Sequence, residues 1–448
     1  MTPAALPLVL GAAPARASVD TGDTAWLLAA TALVLLMTPG LALFYGGMVR
    51  TKSVLNMLMM SFVSIALVTV VWLAGGYSLA FGDDAGAGLI GGLGHAGMAG
   101  LGPHSVHGTV PTLLFATFQL TFAVITAALI SGAVADRAKF GTWLVFVPVW
   151  ALLVYVPVTH WVWGPGGWIA TKLGALDFAG GLPVEITSGA SGLALCLVLG
   201  PRLGFKKDAM RPHNLPMVVT GAGLLWFGWF GFNAGSALGA NGMAAAAFLN
   251  TMAAGCTGLL GWLFVEQRRD GHPTTLGAAS GAVAGLVAIT PSCGTVSLLG
   301  ALVVGLAAGV LCSYAVGWKF RLNYDDSLDV VGVHLVGGIV GTLLIGVFAV
   351  REMTGRTEGL LYGGGLVPLG RQLLAVAAVA AYAFAVTYGL GKLLDRTMGF
   401  RASEEEEQNG LDLTVHAETA YDHGVLGHGA AVGASSLVSP AQKVKYQA

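Results

Sequence analysis

A series of apolar runs, each about 20 residues long and almost free of charge, leaves this chain few ways to fold. Stretches 24–47, 54–75, 110–134 and 373–394 reach the length at which a helix crosses the hydrocarbon of a bilayer. Backbone groups in lipid must pair within their own segment, so such runs form helices, and they are too long for barrel strands. Further runs at 141–163, 184–200, 213–236, 242–265, 273–290, 295–318 and 328–350 bring the expected spans to eleven. With 55% hydrophobic and 10% charged residues, the chain lacks the charge of a soluble domain. The expected fold class is an all-α polytopic membrane protein.

Cytoplasmic loops retain positive charge, and the basic residues divide unequally. Arg50, Lys52, Arg137, Lys139, Arg202, Lys206, Lys207, Arg211, Arg268, Arg269, Lys319 and Arg321 fall after odd-numbered spans, whereas the opposite loops hold Lys172, Arg351 and Arg356. Arg371 stands just before a helix start. This places the N-terminus outside and the C-terminus in the cytoplasm of a multi-pass protein of the inner (plasma) membrane. The chain divides into an N-terminal segment (1–23), a membrane domain (24–397) and a cytoplasmic tail (398–448). Ala4 to Pro14 and the small-residue site Ala15-Arg16-Ala17 resemble a signal peptide, but no Lys or Arg precedes them, and cleavage stays open. Cys196, Cys256, Cys293 and Cys312 have no metal or redox spacing and read as small core residues. A net charge of -1 and the lack of any such motif give no reason to expect nucleic acid.

An internal repeat is the most informative pattern. Asp177, Glu185, Gly189 and Gly192 share their spacing with Asp326, His334, Gly338 and Gly341. One copy enters its span from outside and the other from the cytoplasm, as expected of an inverted repeat, whose substrate path lies at the repeat interface near mid-membrane. The glycines suit close helix approach.

Ionisable residues inside a span cost on the order of 3 kcal/mol and usually face a pore or a partner. Glu185 and His334 therefore stand out, either as pore residues or as a structural hydrogen-bonded pair. Asp177 and Asp329, near span ends, fit helix capping and loop bracing. Trp229, Phe232 and Ser236 occupy one helical face at i, i+3 and i+7, and Phe118 and Phe122 another at i and i+4. Such stripes serve packing or, near the outer surface, attract a small cation to ring faces with a hydroxyl accepting its hydrogen bond. His104, His107, His423 and His428 complete no metal site and read as solvated; His160 is expected to bond locally at the end of its span.

Phe44-Tyr45-Gly46-Gly47, Asp177-Phe178-Ala179-Gly180-Gly181, Pro212-His213-Asn214-Leu215-Pro216, the run Gly228 to Ser236, and Gly332-Val333-His334 resemble the ammonium transporter (Amt/Mep/Rh) superfamily, bacterial-type Amt branch. Similarity also runs through Gly410 to Tyr421. The resemblance implies eleven helices in an inverted five-plus-five repeat, a homotrimer with a pore in each subunit, no cofactor or metal, and transport of ammonium or ammonia. It further implies recruitment of ammonium at Trp163, Ser236 and Phe122, closure of the vestibule by Phe122 and Phe232, deprotonation supported by Asp177, and passage along a pore containing His334, Phe118 and Trp229. Glu185 departs from the family pattern, which usually has histidine there, so proton handling is expected to differ. A trimeric PII-type signal protein is the implied partner of the cytoplasmic face.

An ammonium sensor signalling through the tail is the alternative. An intramembrane enzyme is not expected, since no nucleophile-base pair, metal spacing or phosphate loop occurs in the spans. Ser403-Glu404-Glu405-Glu406 has capping-box spacing and predicts a short helix in a tail separable from the folded domain.

Overall fold

The computed structural model describes residues 18–421, so the signal-peptide reading and His423 and His428 lie outside the described residues. The chain runs through α1 (Thr21–Met48), α2 (Thr51–Phe81), α3 (Thr112–Val134), α4 (Phe140–Trp163), α5 (Gly181–Leu199), α6 (Leu215–Gly235) and α7 (Gly242–Arg269). A shorter helix, α8 (Thr275–Ile289), precedes α9 (Leu298–Leu322), α10 (Val331–Phe348) and α11 (Val367–Met398). A hairpin of β1 (Val106–His107) and β2 (Val110–Pro111) lies between α2 and α3, and α12 (Glu404–Asn409) and α13 (Leu411–His416) follow α11.

Ten of these helices are long and apolar enough to cross a membrane among the described residues. The run expected over 273–290 is the exception. Its helix has 15 residues, about 22 Å at 1.5 Å per residue, and Pro291, which lacks a backbone N–H, follows it in a chain of tight turns ending at Val296. Side-chain caps set several starts: Asp20 accepts from the Asp23 N–H (2.9 Å), Asn214 from Met217 (2.9 Å) and Thr274 from Gly277 (2.8 Å). Gly399, at φ 71°, ends α11, because a left-handed residue cannot continue the helix.

The segment after α11 is not a free tail. Ser403 and Glu406 form the expected capping box, and α12 and α13 fold back onto the loops. Lys52 Nζ donates to the carbonyls of Glu407 (2.8 Å) and Gln408 (2.6 Å), and Asp412 accepts from the N–H groups of Leu55 (3.0 Å) and Asn56 (2.8 Å). A carboxylate from the tail thus caps the point in α2 where a 3-10 turn (Thr51–Ser53) gives way to the regular α-helix beginning at Val54. Several of the basic residues placed in loops by the sequence are joined in an ion-pair cluster. Arg202 donates to Asp325 through Nε (2.9 Å) and Nη2 (2.8 Å), Arg50 Nε to Asp136 (2.9 Å), and the buried Arg137 to Ser327 (2.6 Å). Burial raises the Asp325 carboxyl, but the Arg202 hydrogen bonds and the charges of Arg137 and Arg202 outweigh it and hold the group below its ordinary value.

Candidate functional site

Two helices begin with backbone wound wider than an α-helix. π-helical turns span Gly181–Ile186 in α5 and Val331–Leu335 in α10, and these carry Glu185 and His334. The first N–H groups of each helix have no regular partner, and an aspartate supplies one in both cases. Asp177 accepts from Gly180 (2.7 Å), Gly181 (3.0 Å) and Leu182 (2.5 Å); Asp326 accepts from Val330 (3.1 Å) and Val331 (2.7 Å). Asp329 braces rather than caps: its carboxylate pairs with Lys319 Nζ at 2.6 Å.

Helices α5 and α10 cross where both carry glycine. A Cβ on Gly189 would strike Leu335, and one on Gly338 would lie 2.8 Å from Glu185 Cβ. At this crossing Glu185 and His334, 1% and 4% exposed, meet with Oε2 and Nδ1 2.7 Å apart. They end a constricted inner chamber lined also by Phe44, Ile125, Trp229 and Phe232, whose free volume of about 10 Å³ is about one water position. Trp229 is fixed by donation from Nε1 to Thr290 Oγ1 (2.8 Å).

An outer chamber of about 420 Å³ opens toward the hairpin side, lined by Trp163, Ser236, Phe115, Gln119, Phe178 and His107 among others. Trp163 Nε1 donates to the Asp177 carbonyl (3.1 Å), and Ser236 Oγ donates to the Phe232 carbonyl (2.8 Å), leaving its lone pairs as acceptors. Between the chambers stands Phe122, stacked on Phe232 with centroids 4.1 Å apart and meeting the Trp163 edge at 6.0 Å.

Two expectations are corrected, for His160 and for Cys256. Phe118, like Phe122, is absent from the lining of both chambers: its ring meets that of Phe122 edge-on at 4.9 Å and packs against Gly235. His160 does not bond locally; its Nδ1 lies 2.9 Å from the carbonyl of Ala80 at the end of α2, and its Nε2 3.5 Å from Asp84. Cys256 is exposed rather than a core residue. His107 is exposed, as expected, and also stacks on Phe115 at 3.8 Å. Of Gln119, Thr290 and Phe44, which also contribute here, only Phe44 carries a signal in the sequence, within Phe44-Tyr45-Gly46-Gly47.

The Ammonium Transporter Family profile matches residues 25–421. The chain belongs to the ammonium transporter family. A Mycobacterium tuberculosis protein named "Ammonium transporter" is 55% identical over 91% of this chain and 91% of its own. Among solved structures, Saccharomyces cerevisiae Mep2 superposes with a TM-score of 0.81 at 36% identity, covering 86% of this chain and 88% of its own. A structure titled "Sensor Amt Protein" gives 0.82 at 28% identity, covering 88% and 97%. In this ammonium transporter family member, therefore, the apolar spans, the stacked rings and the buried acid-imidazole pair belong to a multi-pass membrane protein.

Proposed function

We propose that this chain moves ammonium across the membrane by binding it at Trp163, Phe122 and Ser236, releasing a proton, and passing ammonia between Phe122 and Phe232 to the Glu185–His334 pair. The observation that carries this reading is a buried acid-base pair lining a narrow, mostly apolar chamber beside the stacked rings of Phe122 and Phe232. An ammonium ion stripped of water in that passage would bear a desolvation cost of at least several kcal/mol. Neutral ammonia avoids most of it. In the outer chamber, by contrast, ring faces at about 0.5–2 kcal/mol each and the Ser236 lone pairs replace hydration water. Asp177 acts indirectly, by holding the start of α5 and, through its carbonyl, Trp163.

The reading includes eleven spans, counting α8, in an inverted five-plus-five repeat, supported by the matching aspartate caps of α5 and α10. It also includes an inner-membrane homotrimer with one pore per subunit, an outer N-terminus and cytoplasmic C-terminus, and a PII-type partner on the face formed by α12 and α13. Outward apolar rings such as Phe227, Phe248 and Phe264 suit lipid or subunit contact.

Expression in a host lacking its own ammonium transporters should restore growth on low ammonium, and an ammonium pulse to reconstituted protein should give a current if the proton travels too. A correctly inserted protein that fails in both assays would favour the second reading, an ammonium sensor, to which the likeness to "Sensor Amt Protein" lends support.

A further inference from the structure

The β1–β2 hairpin delivers a titratable ring to the rim of the outer chamber. His107 pairs with Val110 across a turn in which Gly108 takes φ 60°, and its imidazole lies face-on over Phe115, planes 15° apart. Phe115 precedes Phe122 by seven residues on α3, so both point to one side of the helix. His107, Gln119, Trp163 and Ser236 line the same chamber.

The polar groups there suit a cation that only donates hydrogen bonds. The proton of Ser236 is engaged with Phe232, and the carbonyl oxygen of Gln119, on a residue 8% exposed, has no partner. Ammonium carries four N–H donors and no acceptor. A neutral imidazole adds another acceptor to this set; an imidazolium instead places a positive charge over the Phe115 ring, in the position a cation would take.

We propose that His107 is a specificity-determining residue of the chamber, admitting ammonium when neutral and excluding it when protonated, so that entry responds to acidity on the hairpin side alone. This rests on the transport reading above. Most other titratable groups on the surrounding elements are held by partners of their own. Helices α3 and α6 carry no ionisable side chain. On α4, His160 is turned to Ala80 and Asp84, and Tyr77 on α2 is packed against Trp72 and Phe81. On α1, Asp23 is engaged by Thr109 and Ala240, and its cap Asp20 by the Asp23 N–H. In the loops, Asp84 is held by Gly86 and Gly88, His95 by Ala99, Lys172 by the Ala87 carbonyl and Asp177 by three amides. Asp83 and His104 share the loop of His107. Partial desolvation lowers the His107 pKa from the ordinary imidazole value, so the excluding form builds up in acid.

The test is the apparent KM and maximal rate of ammonium-evoked current as pH on the hairpin side falls from 7.5 to 5, with the other side held at 7.5. One charge at the rim of this chamber should raise the wild-type KM about tenfold. The maximal rate should change far less. His107→Gln and His107→Ala, neutral throughout, should abolish the rise, whereas His104→Gln should retain it. A wild-type KM independent of pH on that side, or a full rise in folded His107→Gln and His107→Ala, overturns the proposal. Absence of any wild-type current overturns the transport reading itself, and the proposal with it.

Discussion

Gly338→Ala tests whether the crossing of α5 and α10 sets the acid-imidazole geometry. The new methyl carbon would lie 2.8 Å from Glu185 Cβ, 3.1 Å from Ile186 Cγ1 and 3.3 Å from the Ile186 nitrogen. Unbonded carbons settle at about 3.5–4.0 Å, so Glu185 must retreat by roughly 1 Å. Its Cβ is anchored to the backbone and cannot swing aside as a chain end would. A shift of that size away from His334 takes the 2.7 Å contact beyond the range of a hydrogen bond. Overpacking costs about 1–3 kcal/mol and the lost buried bond about 1–3 more. Thermal unfolding in detergent should therefore begin several degrees lower, and ammonium uptake should fall at least tenfold. The apparent affinity of the outer chamber should hold, since Phe122 and Phe232 separate it from the crossing. Gly223→Ala on α6, where a Cβ meets nothing within 4 Å, is the control. Wild-type stability and uptake in folded Gly338→Ala would refute the reasoning.

Three further outcomes are expected. Glu185→Gln, which replaces a charged hydrogen-bond partner by a neutral one of similar shape, should alter the pH profile of transport and current, while His334→Ala should change the maximal rate more than the apparent affinity; profiles superimposable on wild type would return Glu185 to a structural role. Asp177→Asn, with one acceptor oxygen instead of two, should cost about 1–3 kcal/mol. Because burial pushes the Asp177 carboxyl up to about 6, the folded state holds its proton more tightly than the unfolded chain, and the wild type should gain stability relative to Asp177→Asn as pH falls from about 6 toward 4; denaturant midpoints across that range would show a constant difference if this is wrong. Compared with a chain ending after Tyr421, one ending after Arg401 loses the Asp412 cap of α2 and the Glu407 contacts, at about 1–2 kcal/mol each; equal melting temperatures for the two truncations would contradict the docking of α12 and α13.

The membrane class, most helix positions and the two ionisable residues at the crossing were legible because they are local. A run of some 20 apolar residues dictates a helix whatever surrounds it, and a carboxylate and an imidazole inside such runs are conspicuous by their cost. The spacing from Asp177 to Glu185 and from Asp326 to His334 likewise survives in the linear chain. What spacing did not carry was which groups meet. Glu185 and His334 stand 149 residues apart, and their contact depends on glycines that let α5 and α10 approach. Phe118 and Phe122 share a helical face, yet only the arrival of Phe232 and Gly235 from α6 decides that Phe122 stacks on a ring while Phe118 packs against a glycine. The ring contact of the exposed His107 was hidden for the same reason: nothing in the spacing announces the Phe115 ring beneath it or the chamber that both line. Periodicity reports how a segment is wound, which is a matter of neighbours in sequence. The site is made by side chains from distant helices, and their meeting is settled by volume and by the satisfaction of buried polar groups, neither of which is written in any one segment.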